Sequence, residues 1–128
     1  MKSLNKKASR VFLKLTDGLD KMGDHRTINN SSFMAVHVEV VGEGLKGGLI
    51  VSVAHYFSQN GDMCCDPDMT FLMTDDYVFQ MTFQQAIPPL YSDAVVIRDG
   101  EISIRKKMQS DITKFANQWM ANIRSQQF

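Results

Sequence analysis

Alternation of apolar and polar residues is the feature that most constrains the fold of this chain. Between Phe33 and Val41, Met34 and three valines share one face of an extended chain, while His37 and Glu39 lie on the other. A period of two is typical of a strand with one buried face, so the pattern predicts a strand here. Further strands are predicted over residues 49–58, 69–74, 77–84, 94–98 and 101–105.

Turn residues separate several of these strands. Asn60-Gly61 and Asp99-Gly100 are typical of tight β-hairpin turns. Residues 42–47 match the glycine pattern of dinucleotide-binding loops, but that function requires a helix directly after the loop. A predicted strand follows instead. We therefore expect a flexible hairpin connection over residues 42–48.

Amphipathic helices are predicted at both ends of the chain, over residues 4–22 and 107–125. Each carries an apolar stripe at helical spacing, with its lysines and arginines on the opposite side. A half-polar sheet needs a cover on one face, and the two stripes supply it. We therefore predict a single α+β domain over residues 1–128, in two layers. An antiparallel sheet of about six strands forms one layer, and both helices pack on one face of it.

Charge is distributed unevenly along a chain whose formal net charge is zero. Residues 1–30 contain seven Lys or Arg against three acidic residues, and residues 98–128 contain six against three. Between Gly47 and Ile97 there is no Lys or Arg, but there are six aspartates. The centre of the chain is therefore acidic and its ends are basic.

The sequence carries no signal that predicts export or membrane insertion. The first residues are basic but lack the continuous apolar core of a signal peptide. No apolar run approaches the ~20 residues of a membrane span. The two cysteines, Cys64 and Cys65, are neighbours and do not make a disulfide framework. We expect a cytoplasmic protein with no membrane partner.

The segment from His55 to Phe71 is the predicted functional edge of the fold. It places aspartates, both cysteines and a proline between an Asn-Gly turn and an apolar run, in a region without any cation. We predict a non-enzymatic module that binds a partner protein or a small ligand through an acidic rim. This rim comprises His55, Tyr56, Asn60, Asp62, Asp66, Asp68 and Asp93. No catalytic residue, metal ligand or cofactor is assigned.

A hydrolase that uses the same residues is the main alternative. It would employ His55 with the nearby aspartates, with or without a metal ion; a hairpin at Asn60-Gly61 brings His55 opposite position 66. The aspartates do not form a calcium loop, because counting from Asp62 puts Pro67 at position 6 and Met73 at position 12. Turn formation by Asp66-Pro67-Asp68 explains them more simply.

Nucleic-acid binding through the basic helix faces is a weaker alternative. Lysine and arginine side chains neutralise phosphates, and the first predicted helix gathers five basic residues on one arc. However, no arginine-rich or aromatic-interleaved motif accompanies them. A solvated helix face is the usual explanation of such a pattern.

The central segment also resembles a family of small bacterial proteins of unknown function. The resemblance rests on a HYxxQNGDxxxDPxMxF-like motif at residues 55–71, on Tyr91-Ser92-Asp93, and on a closing pattern of Phe115-Ala116, Trp119 and Gln127-Phe128. It covers roughly residues 50–128, and Asp68 stands where the family more often has glutamate. The resemblance implies a setting in plasmids, phages and conjugative elements. It implies no activity, cofactor or ligand.

Overall fold

The computed structural model describes residues 1–44 and 47–128. Leu45 and Lys46, in the predicted 42–48 connection, lie outside the described residues. The elements are α1 (Lys6–Thr16), β1 (His25–Ile28), β2 (Val36–Glu43), β3 (Leu49–Gln59), β4 (Asp62–Met73), β5 (Val78–Gln85), β6 (Leu90–Asp93), β7 (Val95–Arg98), β8 (Glu101–Ile104) and α2 (Lys106–Gln127).

Six strands form one antiparallel sheet in the order β1-β2-β3-β4-β5-β6. Each strand pairs with its neighbour in the chain, so every connection is a hairpin. The longest hairpin joins β3 and β4 through Asn60 and Gly61, which both have positive φ angles of 53° and 85°. This is the backbone that a tight Asn-Gly turn requires. The predicted α+β class and the six-stranded antiparallel sheet are confirmed.

The predicted strand assignments need correction in four places, and one of them is β6 (Leu90–Asp93), which the sequence does not predict as a strand. Residues 25–28, predicted as part of a polar linker, form β1 at one edge of the sheet. Strand β4 begins at Asp62 instead of Met69, because backbone pairing with β3 continues through the predicted turn segment. The hairpin over residues 95–104 forms a separate two-stranded sheet, β7-β8. Consequently β1 and β6 take the two places in the main sheet that this hairpin was expected to fill.

Both helices pack on the same face of the sheet, as predicted. Phe12 of α1 and Trp119 of α2 belong to one buried cluster with Val51, Val53 and Phe71 of the sheet. The rings of Phe12 and Phe71 lie 5.0 Å apart, which joins α1 directly to β4. This continuous apolar layer is the main core of the fold.

The two helices run parallel, side by side. At one end the backbone N–H of Asn5 donates to Oδ1 of Asn117, at 3.0 Å. At the other end the ammonium group of Lys14 lies 4.3 Å from the ring centre of Phe128. The solvent sides of α1 and α2 therefore form one continuous surface.

Helix α1 is shorter than the predicted helix over residues 4–22. It ends at Thr16, whose hydroxyl donates back to the carbonyl of Phe12 at 3.0 Å, and Gly18 then takes a φ of 81°. The guanidinium of Arg26 donates to the carbonyls of Leu15 and Asp17 at the end of the helix. These contacts turn the chain towards β1 and stabilise the carbonyl end of the helix dipole.

The second face of the sheet is covered over only part of its area. Val95 of β7 packs on Leu72 and Met81 in a smaller cluster, with Ile97 and Ile104 at its margin. The rest of this face, over β1 to β4, carries polar side chains. We call it the open face; its residues are His37, Glu39, Ser52, Tyr56, Cys65, Asp68 and Thr70. In residues 1–44 and 47–128, no helix is long and apolar enough to cross a membrane.

Candidate binding surface on the open face of the sheet

The structure divides the predicted acidic rim among five places. Tyr56 and Asp68 lie on the open face, because their neighbours Val53 and Met69 point into the helix-covered core. His55 points to the helix side, where it is buried. The other rim residues lie at the hairpin tip, at its bulge and on β6: Asn60, Asp62, Asp66 and Asp93.

Asp68 is the centre of the open face. Its carboxylate is half-buried and accepts a hydrogen bond of 2.7 Å from the hydroxyl of Ser52 on the neighbouring strand. Burial raises the pKa of Asp68, the Ser52 hydroxyl opposes this shift, and the negative charge of Glu39 adds to it. The sheet therefore holds this carboxyl group where its ionised form is poorly solvated.

The Tyr56 side chain lies within the influence of the Asp68 charge, and it packs against a second ring, His37. The rings of Tyr56 and His37 lie edge to face, with 5.1 Å between their centres. His37 in turn shares a hydrogen bond of 3.2 Å with the hydroxyl of Thr27 on β1. A depression of about 120 Å³ lies between β1, β2 and β3, and both rings, Glu39 and Ser52 line it. The open face thus combines ring faces with carboxylates.

Burial and the carboxylates of the open face both raise the pKa values of the Tyr56 hydroxyl and the Cys65 thiol. Burial raises the pKa of the Tyr56 hydroxyl, and the nearby charges of Asp68, Cys65 and Glu39 raise it further. Burial likewise raises the pKa of the Cys65 thiol, with Asp68 as the next cause. Both groups therefore stay protonated at neutral pH, and the thiol is a weak nucleophile.

His55 lies on the opposite side of the strand from this cluster. It is 6% exposed, and its ring meets the indole of Trp119 edge to face at 5.4 Å. Burial lowers the pKa of His55, although the charge of Asp66 opposes that shift. The predicted position of His55 opposite residue 66 agrees with the register, in which β4 bulges between the partners of Ala54 and Tyr56.

The remaining rim residues do not converge on Asp68. Asn60 and Asp62 are exposed at the tip of the β3-β4 hairpin, and Asp66 is exposed beside its bulge. Asp93 forms an ion pair of 3.3 Å with Arg105. The rim is therefore not free of cations at Asp93, because folding brings in a residue from outside the cation-free stretch.

Sequence reasoning missed five members of the open face: His37, Glu39, Ser52, Cys65 and Thr70. Their alternation with buried valines was visible on β2 and β3, but the register that sets them beside Asp68 was not. In the described chain, no three His, Cys, Asp or Glu side chains are grouped closely enough to hold a metal ion. Both cysteines are free thiols.

Comparison with known proteins identifies the family but no function. The family model of DUF6908, described as a domain of unknown function, matches residues 7–128. The chain belongs to the DUF6908 family. No curated protein and no solved structure matches it. The part of the chain that the DUF6908 model matches includes the open face and both helices, so these surfaces belong to the family domain itself.

Proposed function

We propose that this DUF6908 domain is a non-enzymatic binding module, and that its open face receives a basic side chain of a partner protein. The observation that carries the proposal is the half-buried carboxyl group of Asp68, whose pKa is raised and which Glu39 flanks. An arginine or lysine placed against Asp68 would supply the countercharge that the sheet does not. Charge-assisted hydrogen bonds of this kind are stronger than neutral ones.

The rings beside Asp68 favour the same ligand. Tyr56 and His37 present aromatic surface next to carboxylates, and a cation over a tyrosine ring is attracted by the ring electrons. A guanidinium group can stack on a ring and donate to a carboxylate at the same time. The open face therefore suits arginine better than a neutral ligand.

Asp68 also carries a cost in stability. Since its pKa is raised in the folded state, the folded chain binds a proton more readily than the unfolded chain above pH 3.8, the ordinary value of an aspartate. The contribution of Asp68 to folding is therefore least favourable once pH rises above its folded pKa. A residue that opposes folding at neutral pH is typical of a binding site.

The hydrolase alternative has less support from the geometry. Its candidate base, His55, is buried against Trp119, and its Nε2 atom has no hydrogen-bond partner among the described residues. The carboxylates of Asp62 and Asp66 are exposed on the β3-β4 hairpin, and neither forms a hydrogen bond with His55 among the described residues. A general base needs access to a substrate proton.

We further propose that this module acts in the cytoplasm of a bacterium and that a plasmid, phage or conjugative element encodes it. The resemblance of residues 55–71 to proteins of such elements supports this setting. The partner is then expected to be encoded on the same element. Sequencing the genes next to DUF6908 genes in several genomes tests this setting. If the neighbours are chromosomal housekeeping genes in every genome, the setting is wrong.

The test of the binding site is Asp68→Asn, which removes the charge and keeps the shape. The probe is a short blocked peptide, Gly-Arg-Gly, followed through the backbone amide signals of Ser52, Tyr56 and Asp68 by NMR. We expect saturable shifts in the wild type and about tenfold weaker binding in the variant. At pH 7 the variant should also unfold about 2–4 °C higher, with the difference lost near pH 3.

Asp66→Asn is the matched control, because it makes the same chemical change two positions away on an exposed side chain. It should leave both the peptide affinity and the unfolding temperature close to the wild-type values. If both variants lose affinity equally, the ligand recognises the acidic hairpin as a whole and not the open face. If the peptide shifts no amide of the open face, the proposal is wrong.

A further inference from the structure

The solvent side of the helix layer contains a cleft that basic side chains line. It has a volume of about 660 Å³ and lies between α1 and α2. A second depression of about 280 Å³ continues along the same two helices. We call the two together the helix cleft; its basic residues are Lys7, Arg10, Lys14, Lys114 and Arg124.

No carboxylate side chain balances these five cations. The residues that line the helix cleft include no aspartate or glutamate. Within residues 1–44 and 47–128, the one ion pair is that between Asp93 and Arg105. Like charges that are gathered without counter-ions repel each other, and they raise the local concentration of anions. These cations therefore favour a polyanion as the ligand of the helix cleft.

The spacing of the cations suits a chain of phosphates. Lys7, Arg10 and Lys14 are three and four positions apart on α1, so they lie on one face with axial steps of about 4.5 and 6 Å. A strand of nucleic acid carries one negative phosphate per nucleotide, so a row of cations can meet several phosphates of the same strand. Arg124 supplies a further charge from α2, across the cleft.

Groups other than cations complete the site. The ring of Phe128 is 45% exposed at one end of the cleft, beside the ammonium group of Lys14. Asn117 and Gln118 line the second depression with side-chain amides, which can donate to sugar or phosphate oxygens. Proteins that bind single strands without sequence preference combine a basic groove with aromatic side chains on which bases stack.

We propose that the helix cleft binds single-stranded nucleic acid through its sugar–phosphate backbone. The cations, the Phe128 ring and the side-chain amides line one groove along the two helices, which suits a single strand. A duplex would rest on the tips of the lysines and leave Phe128 without a base to stack on. This site lies on the opposite layer from the open face, and the proposal does not rest on the function proposed for that face.

The experiment measures the binding of a fluorescent dT20 strand by anisotropy between 50 and 300 mM salt. Five neutralised phosphates predict a slope of log affinity against log salt of about −3.5. The charge-reversal variant Arg10→Glu with Arg124→Glu should weaken binding at least tenfold and reduce the slope by about 1.4. No salt-dependent binding by the wild type would overturn the proposal.

The matched control is Lys106→Glu with Lys107→Glu, at the start of α2 and outside the lining of the helix cleft. It changes the formal net charge by the same amount. We expect its affinity to stay within about twofold of the wild type, because phosphate contacts are local. An equal loss in both double variants would show attraction by net charge alone and would refute the cleft.

Phe128→Leu separates stacking from charge. It should weaken dT20 binding about fivefold without changing the salt slope, because a leucine does not stack on a base. Tighter binding of a duplex than of dT20 would contradict the single-strand assignment. Light scattering tests a different occupant. If the wild type binds no strand but forms salt-sensitive dimers, and the Arg10/Arg124 variant abolishes these dimers, then the cleft binds the acidic face of a second copy instead.

Discussion

His55 shows what burial does to a titratable residue in this fold. The side chain is packed against Trp119, and its Nε2 atom has no hydrogen-bond partner among the described residues. Burial is the main reason for its lowered pKa, Asp66 acts in the other direction, and His37 adds a small repulsion. Near pH 6.5, where half of the unfolded chains carry the proton, His55 is therefore protonated less often in the folded chain than in the unfolded chain.

This difference predicts a loss of stability in mild acid. Below pH 6.5 the unfolded state binds more protons than the folded state, so the free energy of unfolding falls as pH decreases towards the folded pKa of His55. Above that window the contribution of His55 is constant. Urea unfolding at pH 7.5, 6.5 and 5.5 should show the decrease.

The variant His55→Phe keeps an aromatic ring beside Trp119 and removes the titration. It should flatten the pH dependence between 5.5 and 7.5, whereas His25→Gln, at an exposed position, should retain it. An unchanged slope in His55→Phe would show that another group governs acid sensitivity.

At the scale of elements, turn chemistry predicted some connections and concealed others. Asn60-Gly61 forms the expected turn between β3 and β4. Asp66-Pro67-Asp68 also has the composition of a turn, yet it lies within β4: Asp66 and Pro67 form a bulge, and pairing with β3 and β5 resumes at Asp68. Local propensity yields to tertiary contacts at such positions. The sequence therefore predicts a loop followed by a short strand where the structure has a 12-residue strand.

The placement of elements depends on information that periodicity does not contain. Residues 95–104 have the pattern of a hairpin and form one, but they pack across the sheet through Val95 and do not join it. The edge strand β1 has only four residues and a single buried position, Ile28, so its alternation is too short to recognise. The candidate site has the same origin. The sequence motif contains Tyr56 and Asp68, whereas Ser52 and Glu39 join the site only because strand pairing places them beside Asp68.

The attachment of α1 to the sheet is open to a direct test at two adjacent residues. Phe12 is fully buried against Phe71, and Leu13 is 54% exposed on the opposite side of the same helical turn. We expect Phe12→Ala to reduce the free energy of unfolding by about 3–5 kcal/mol. Leu13→Ala should change it by less than about 0.5 kcal/mol. Guanidinium unfolding followed by circular dichroism measures both, and similar losses would mean that α1 packs on another face.

The whole molecule separates its charges by layer, although its net charge is zero. The helix cleft gathers cations on the outer side of the helices, and the open face places Glu39 and Asp68 on the far side of the sheet. The sequence already shows basic ends and an acidic centre. Folding converts that order along the chain into two oppositely charged surfaces, because both terminal helices cover one face of a sheet made from the centre.

Two surfaces on opposite layers should bind independently at physiological salt. A helix alone is about 10 Å thick, whereas charges are screened over about 8 Å at 0.15 M. We therefore expect Asp68→Asn to change dT20 affinity by less than about twofold at 0.15 M salt, and the Arg10/Arg124 variant to keep the peptide affinity of the wild type. At 0.02 M salt screening weakens, so Asp68→Asn should bind dT20 more tightly, because it removes a negative charge. Anisotropy and NMR titrations on the same three proteins measure these effects. A tenfold loss of strand binding in Asp68→Asn at 0.15 M would show that the two surfaces are one site.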